Sequence, residues 1–123
     1  MFDKLIEMAY ELKDLPQGNF RHFTFIVRKN KVLSMGWNKG FKTHPSAKKL
    51  GYKFSGIHSE LDAFQNLTYQ YKQLIHKCNI VNIRINNFGQ IRLSKPCRHC
   101  EPWLKALNAR NIYYSTNEGF NLL

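Results

Sequence analysis

The order in which helical and extended patterns follow one another most constrains the fold of this 123-residue chain. Apolar residues recur at helical spacing near the start, and β-rich runs then alternate with further helical patterns. The pattern predicts helices over residues 2–14 and 58–76 and a third helix opened by Pro96, a hairpin of strands 23–28 and 32–37, and strands over 80–85, 90–93, 112–114 and 120–123.

This order predicts an α/β fold in which helices cover one sheet, with residues 1–123 forming a single domain. The turn at 117–119 is too short for a parallel crossover, which needs a dozen residues or more. The last strand is therefore expected to pair antiparallel with 112–114 as a C-terminal hairpin.

Charge and hydropathy limit the surroundings in which the chain works. Its formal net charge is +11, which favours attraction to phosphate or, alternatively, reflects a solvated basic surface with no particular partner. No apolar run is long enough to cross a bilayer, and the first residues carry acids where a secretory signal would carry bases. We expect a cytoplasmic protein with no membrane association.

Two short motifs combine residues that bind metals. His58-Ser59-Glu60 stands at the predicted start of the second helix, and Pro96-Cys97-Arg98-His99-Cys100 stands at the start of the third. Cysteines three apart at a helix start lie on one face, and the helix dipole favours their thiolate forms. One imidazole and two thiolates leave a tetrahedral zinc one position short, as in catalytic sites.

Other readings of these residues stay open. The Cys97/Cys100 pair alone is also typical of half a structural zinc site or of a redox pair. A structural site would need a fourth protein ligand. Cys78, the third cysteine, is expected to be buried at a strand edge and has no assigned role.

The two motifs together resemble those of the cytidine and deoxycytidylate deaminase superfamily, and the predicted element order is similar over nearly the whole chain. The resemblance implies a three-layer fold with a mixed sheet of about five strands and helices on both faces. It implies one zinc ion per chain, held by His58, Cys97 and Cys100. Glu60 would then move protons as a zinc-activated water attacks C4 of cytosine or C6 of adenine.

The same resemblance implies contacts to the substrate. Asn38, which ends a Gly-Trp-Asn run, would contact the sugar, and Asn19-Phe20 would face the base. Ser59 replaces the usual alanine between the histidine and the glutamate and would border the pocket. Lys42 and Arg98 are candidates for a 5′-phosphate.

The favoured substrate is a free cytosine nucleotide, with dCMP first and cytidine or deoxycytidine next. The resemblance also implies a homo-oligomer in which neighbouring copies help to close the pocket. One alternative is an editor of cytosine or adenine in single-stranded DNA or RNA, which the positive charge would suit. Another is a non-catalytic module that binds nucleotides or nucleic acid on a deaminase fold.

Overall fold

A computed structural model of the chain describes residues 1–16, 21–38, 58–98 and 100–123. Its elements in chain order are α1 (Phe2–Glu11), β1 (Arg21–Arg28), β2 (Lys31–Trp37), α2 (Ser59–Asn66), α3 (Tyr69–Lys72), a 3₁₀ turn (Ile75–Lys77), β3 (Asn79–Ile85), β4 (Ile91–Arg92), α4 (Cys100–Ala106), β5 (Asn111–Ser115) and β6 (Phe120–Leu122). None of the helices in these ranges has both the length and the apolar character needed to cross a membrane.

The described strands form one open, mixed sheet in the order β2-β1-β3-β5-β6, with β4 paired to β3. β1 pairs antiparallel with both β2 and β3, whereas β3 and β5 run parallel. β5 and β6 pair antiparallel, so the predicted C-terminal hairpin is confirmed. The mixed α/β architecture is also confirmed, with six strands in place of about five.

Alternating side chains of the central strands place an apolar core on each face of the sheet. Phe23 and Phe25 of β1 pack with Leu5 and Ala9 of α1 on one face. Ile26 of β1 packs on the other face, in a cluster whose further members come from α2, β3, α4, β5 and the segments beside them: Ala63, Leu67, Ile75, Cys78, Ile80, Cys100, Leu104 and Ile112. Helices therefore cover both faces, as predicted. Cys78 is fully buried there, which confirms the expectation for it.

The prediction of one helix over 58–76 is wrong. The chain leaves the helix at Leu67, whose ψ of 137° is extended, and Thr68 is extended as well. Leu67 is only 3% exposed and packs in the second core. The backbone is therefore extended where the Leu67 side chain enters the core. Helical structure resumes only in α3 and the 3₁₀ turn.

The prediction that Pro96 opens the third helix is also wrong, because α4 begins at Cys100. The preceding segment is held to the sheet: the Ser94 amide donates to the Ser115 carbonyl at 2.9 Å, and the Ser94 hydroxyl donates to the Asn82 carbonyl at 2.8 Å. The chain turns into the helix only after these contacts. The Cys97 carbonyl then accepts from the amides of Cys100 and residue 101.

The β1–β2 hairpin holds its shape through a two-residue loop. Lys29 and Asn30 both have positive φ, 50° and 63°, as a type I′ turn requires. The register passes from Ile26↔Ser34 to Val27↔Val32, so β2 carries one extra residue in a bulge.

Gly36 lets α2 lie directly on β2. A β-carbon at Gly36 would meet the Ser59 carbonyl oxygen at 2.7 Å and the Ala63 Cα at 2.8 Å. Both are backbone atoms, which cannot swing away. This close approach fixes the beginning of α2, and with it His58, against the sheet.

Gly36→Ala is therefore expected to lower the free energy of unfolding by about 3 kcal/mol, at the upper end of the usual cost of overpacking. Urea denaturation followed by circular dichroism measures the change. A loss below about 1 kcal/mol would show that α2 can move away from β2 at little cost, contrary to this packing.

Candidate metal centre

The two motifs meet at one edge of the sheet. The carboxyl ends of the parallel strands β3 and β5 lie there, beside the amino end of the antiparallel β1. Open α/β sheets commonly bind ligands at the carboxyl ends of their strands. Ser94 joins β3 to β5 at this edge, three residues before Cys97, and Thr24 of β1 contacts Ser59 of α2.

Three potential metal ligands come together at this edge. His58 stands immediately before α2 and is half-buried, Cys97 precedes α4, and the buried Cys100 is the first residue of α4. The Nδ1 atom of His58 lies 3.7 Å from the Cys97 Sγ and 3.5 Å from the Cys100 Sγ. All three ligand atoms lie within 4.8 Å of one another, close enough to hold a metal ion.

These distances suit zinc. Typical zinc–sulfur and zinc–nitrogen bonds at a tetrahedral angle would separate a ligand sulfur from a ligand nitrogen by about 3.6 Å. Mixed thiolate and imidazole donors also favour zinc over magnesium or calcium, which prefer oxygen. Zinc would thus be held through His58 Nδ1 and the two sulfurs, and within the described ranges no fourth His, Cys, Asp or Glu belongs to the group.

Glu60 is buried beside these ligands. Its side chain is 7% exposed, and its Oε1 accepts a hydrogen bond of 2.8 Å from the Ser59 hydroxyl. A hydrogen bond with Cys97 raises the pKa of His58 against the opposing effect of burial, and the charges of Cys97 and Glu60 raise it further. The Glu60 carboxylate is therefore close enough to act electrostatically on a ligand of the proposed ion.

A buried polar network continues from Glu60 into the sheet. The Thr24 hydroxyl lies 2.9 Å from the Ser59 Oγ and 2.7 Å from the Asn82 Oδ1. In the described part of the chain, the buried Nδ2 of Asn82 has no hydrogen-bond partner. A half-turn of this amide would let Asn82 donate to Thr24, and Thr24 would then donate to Ser59. The network would hold the Glu60 carboxylate in one orientation.

His22 and Arg84 lie directly opposite each other on β1 and β3 at the same edge, where Arg84 adds positive charge. Burial, together with smaller contributions from the positive charges of Arg84 and His58, lowers the pKa of His22 to about 4. His22 is therefore neutral at neutral pH.

The pKa of His22 predicts how stability depends on pH. Below pH 6.5 the unfolded chain takes up a proton that the folded chain accepts only near pH 4. Protonation of His22 in the unfolded chain therefore lowers the free energy of unfolding as pH falls from 6.5 towards 4, and has no such effect above pH 6.5. The free energy lost in this way is on the order of 2–3 kcal/mol. His22→Gln should flatten the decline between pH 6.5 and 4, measured by urea denaturation at equal zinc content. Parallel curves would contradict the burial of a neutral His22.

The structure leaves the proposed substrate contacts as predictions. The Oδ1 of Asn38 accepts a hydrogen bond of 3.1 Å from the His22 amide, which places Asn38 beside the metal edge. Ser59 is buried, and its hydroxyl contacts Glu60 and Thr24. Arg98 is exposed next to Cys97. Three further candidates lie outside the described residues: Asn19, Phe20 and Lys42.

Sequence reasoning did not place four residues at this edge, namely His22, Thr24, Asn82 and Arg84. The sequence does carry an indication of them, because each is a polar residue within or beside a run of β-formers. In the structure they form two cross-strand pairs, His22 with Arg84 and Thr24 with Asn82. A polar side chain on a buried strand face needs a partner, which is a reason to look for a site nearby.

Comparison with known proteins adds no family assignment: no protein-family model matches the chain, and no curated protein matches it. The class that the fold and site define is therefore an open α/β sheet with a His-Cys-Cys group able to bind a metal ion.

Proposed function

We propose that the protein is a zinc-dependent hydrolytic deaminase of a cytosine nucleotide or nucleoside, with dCMP as the first substrate to test. The observation that carries the proposal is the buried Glu60 beside a group that contains three metal donors within the described residues. A purely structural zinc site has four protein ligands and no use for a buried carboxylate beside them. A fourth position left for water is what a hydrolytic site needs.

Each group then has one role. His58, Cys97 and Cys100 would hold zinc, which when bound supplies a Lewis acid that activates water. Glu60 would take a proton from the attacking water and deliver it to N3 of the cytosine ring, and then help ammonia leave from C4. Ser59 donates to Oε1 of Glu60, which leaves Oε2 for the proton transfer.

Positive charge at the metal edge supports a phosphorylated substrate. Arg84 is close enough to affect His22, and Arg98 directly follows a metal ligand. Either guanidinium could pair with a 5′-phosphate, for which the arginine fork is well suited. Asn38, at the end of β2 on this edge, would face the sugar.

The test is turnover of a panel by zinc-loaded protein: cytidine, deoxycytidine, CMP, dCMP, dCTP and a cytosine-containing single strand. Ammonia release would be measured and the uracil product identified by mass spectrometry. We expect dCMP to react at least about tenfold faster than deoxycytidine, since a charge-assisted contact to phosphate contributes more than 1.4 kcal/mol. Turnover of the strand alone would favour the editing alternative, and no turnover of any compound with zinc bound would contradict the proposal.

A further inference from the structure

A groove surrounded by cationic side chains lies at the edge of the sheet opposite the metal centre. It has a volume of about 670 Å³ and is lined by residues 27–30, 76, 77 and 79, with Met1 and Arg110. A second groove of about 270 Å³ is lined by Arg28, Lys29, Lys31, Leu33 and Tyr71. Because Arg28 and Lys29 line both, the two grooves are neighbours, and we call them together the basic groove.

The basic groove is separate from the metal centre. It lies at the hairpin loop, where β1 ends and β3 begins, whereas the metal centre lies where β1 begins and β3 ends. Thr24 contacts the Glu60 network, and Arg28 lies four residue steps further along the extended strand, roughly 13 Å away. A ligand in the groove would therefore not need to reach the proposed zinc ion.

The charge of the groove is not neutralised by its own walls. Among the residues that the structure describes, five lysine and arginine side chains and no aspartate or glutamate line it: the five are Arg28, Lys29, Lys31, Lys77 and Arg110. In the part of the chain that the structure describes, none of the five forms an ion pair; the ion pair seen there joins Lys105 to Glu101. Unpaired like charges lining one groove attract a polyanion.

The shape and lining indicate which polyanion fits. Arg110 and Lys77 line the first groove and Lys31 lines the second, so the cations are distributed over both grooves and do not all line one pocket. The ring of Tyr71 and the side chain of Leu33 add an apolar wall. Spread cations with an aromatic ring are the features with which proteins bind single-stranded nucleic acid, the cations facing phosphates and the ring stacking on a base.

We propose that the basic groove binds single-stranded nucleic acid through its phosphate backbone, without preference for base sequence. This function is independent of which compound the metal centre acts on. It assigns a role to part of the +11 net charge that the proposed deamination of a free nucleotide does not use.

Fluorescence anisotropy with a labelled oligothymidylate of about 12 nucleotides, within the site sizes known for single-strand binders, tests the proposal. Thymine has no 4-amino group, so binding is measured apart from any deamination. Lys29→Glu with Lys77→Glu changes two exposed side chains of the groove. We expect binding at least about tenfold weaker, and a dependence of log K on log salt that is shallower by about 1.4.

The matched control carries Lys13→Glu with Lys95→Glu, the same change of charge at the metal edge. The Lys13 carbonyl there accepts from Arg21 at the start of β1, and Lys95 lies two residues before Cys97. The control should bind within about threefold of the unchanged protein, given the weak effect of distant screened charges. Tyr71→Leu should weaken binding about fivefold or more by removing the stacking ring.

Four results would overturn the proposal. If both double variants bind the oligonucleotide equally weakly, the effect is one of net charge in general. If only the control variant binds more weakly, the oligonucleotide binds at the metal edge. Displacement of the oligonucleotide by an equal phosphate concentration of inorganic tripolyphosphate would indicate a site for a compact anion. No binding by the unchanged protein at low salt would exclude the groove as a nucleic-acid site.

If turnover of cytosine compounds fails while the groove binds the oligonucleotide, only the deaminase proposal is contradicted.

Discussion

Glu60→Gln is expected to reduce turnover of the best cytosine substrate by about 1,000-fold or more while leaving zinc and fold in place. The amide has nearly the shape of the carboxylate and can still accept the hydrogen bond from Ser59. It cannot accept a proton from water and pass it on, and general acid–base catalysis typically contributes 10²- to 10⁴-fold. Initial rates of ammonia release, with zinc content and thermal stability measured on the same samples, provide the comparison.

Glu101→Gln is the matched control. It removes the same charge from the first turn of α4, where Glu101 pairs with Lys105 at 3.8 Å. We expect turnover close to that of the unchanged protein, because exposed ion pairs of this kind contribute little. Retention of full activity by Glu60→Gln would contradict the proposed proton transfer, and loss of zinc in that variant would instead make Glu60 a part of the metal site.

Cys97→Ser is expected to lower zinc affinity by more than about 100-fold and to destabilise the protein. Changes to residues that merely support a metal ligand already cost 10- to 100-fold, so loss of a thiolate ligand should cost more. Metal binding at such a site is also coupled to folding. The Cys97 sulfur contacts His58 just before α2, so its replacement should loosen the start of that helix. Competition with a zinc chelator, followed by thermal denaturation with and without zinc, measures both effects.

Cys78→Ser is the control for this variant, because it makes the same atomic change at a cysteine outside the site. Cys78 is fully buried and its sulfur lies 3.4 Å from the Leu74 carbonyl, so a stability loss is expected without a change in zinc affinity. Equal zinc affinity in Cys97→Ser and the unchanged protein would exclude Cys97 as a ligand.

The sequence predicted the group of three potential metal ligands because their chemistry is local. Cys97 and Cys100 are three residues apart, and His58 and Glu60 are two apart, so short spacing placed each pair on one segment. Only the folded structure shows that these two segments lie close together, although the predicted order of helices and strands already favoured this arrangement. The sheet was predictable for the same reason, since period-2 runs of β-formers mark strands regardless of tertiary context.

What could not be predicted depends on contacts between residues far apart in the chain. Thr24 meets Ser59 across 35 positions and Asn82 across 58, and no local pattern encodes either pairing. The break at Leu67 depends on the pocket that receives its side chain, which overrides a helical pattern. The basic groove likewise joins the hairpin loop, the segment before β3 and Arg110.

The coordination of zinc in the loaded protein most directly tests the central claim that this edge is a hydrolytic metal centre. X-ray absorption at the zinc edge counts sulfur and lighter ligands and gives their distances. The account predicts two sulfurs at about 2.3 Å and two nitrogen or oxygen ligands at about 2.0 Å, one of the latter exchangeable with added azide or cyanide. A closed site of four protein ligands, unchanged by these anions, would contradict the account and indicate a structural zinc.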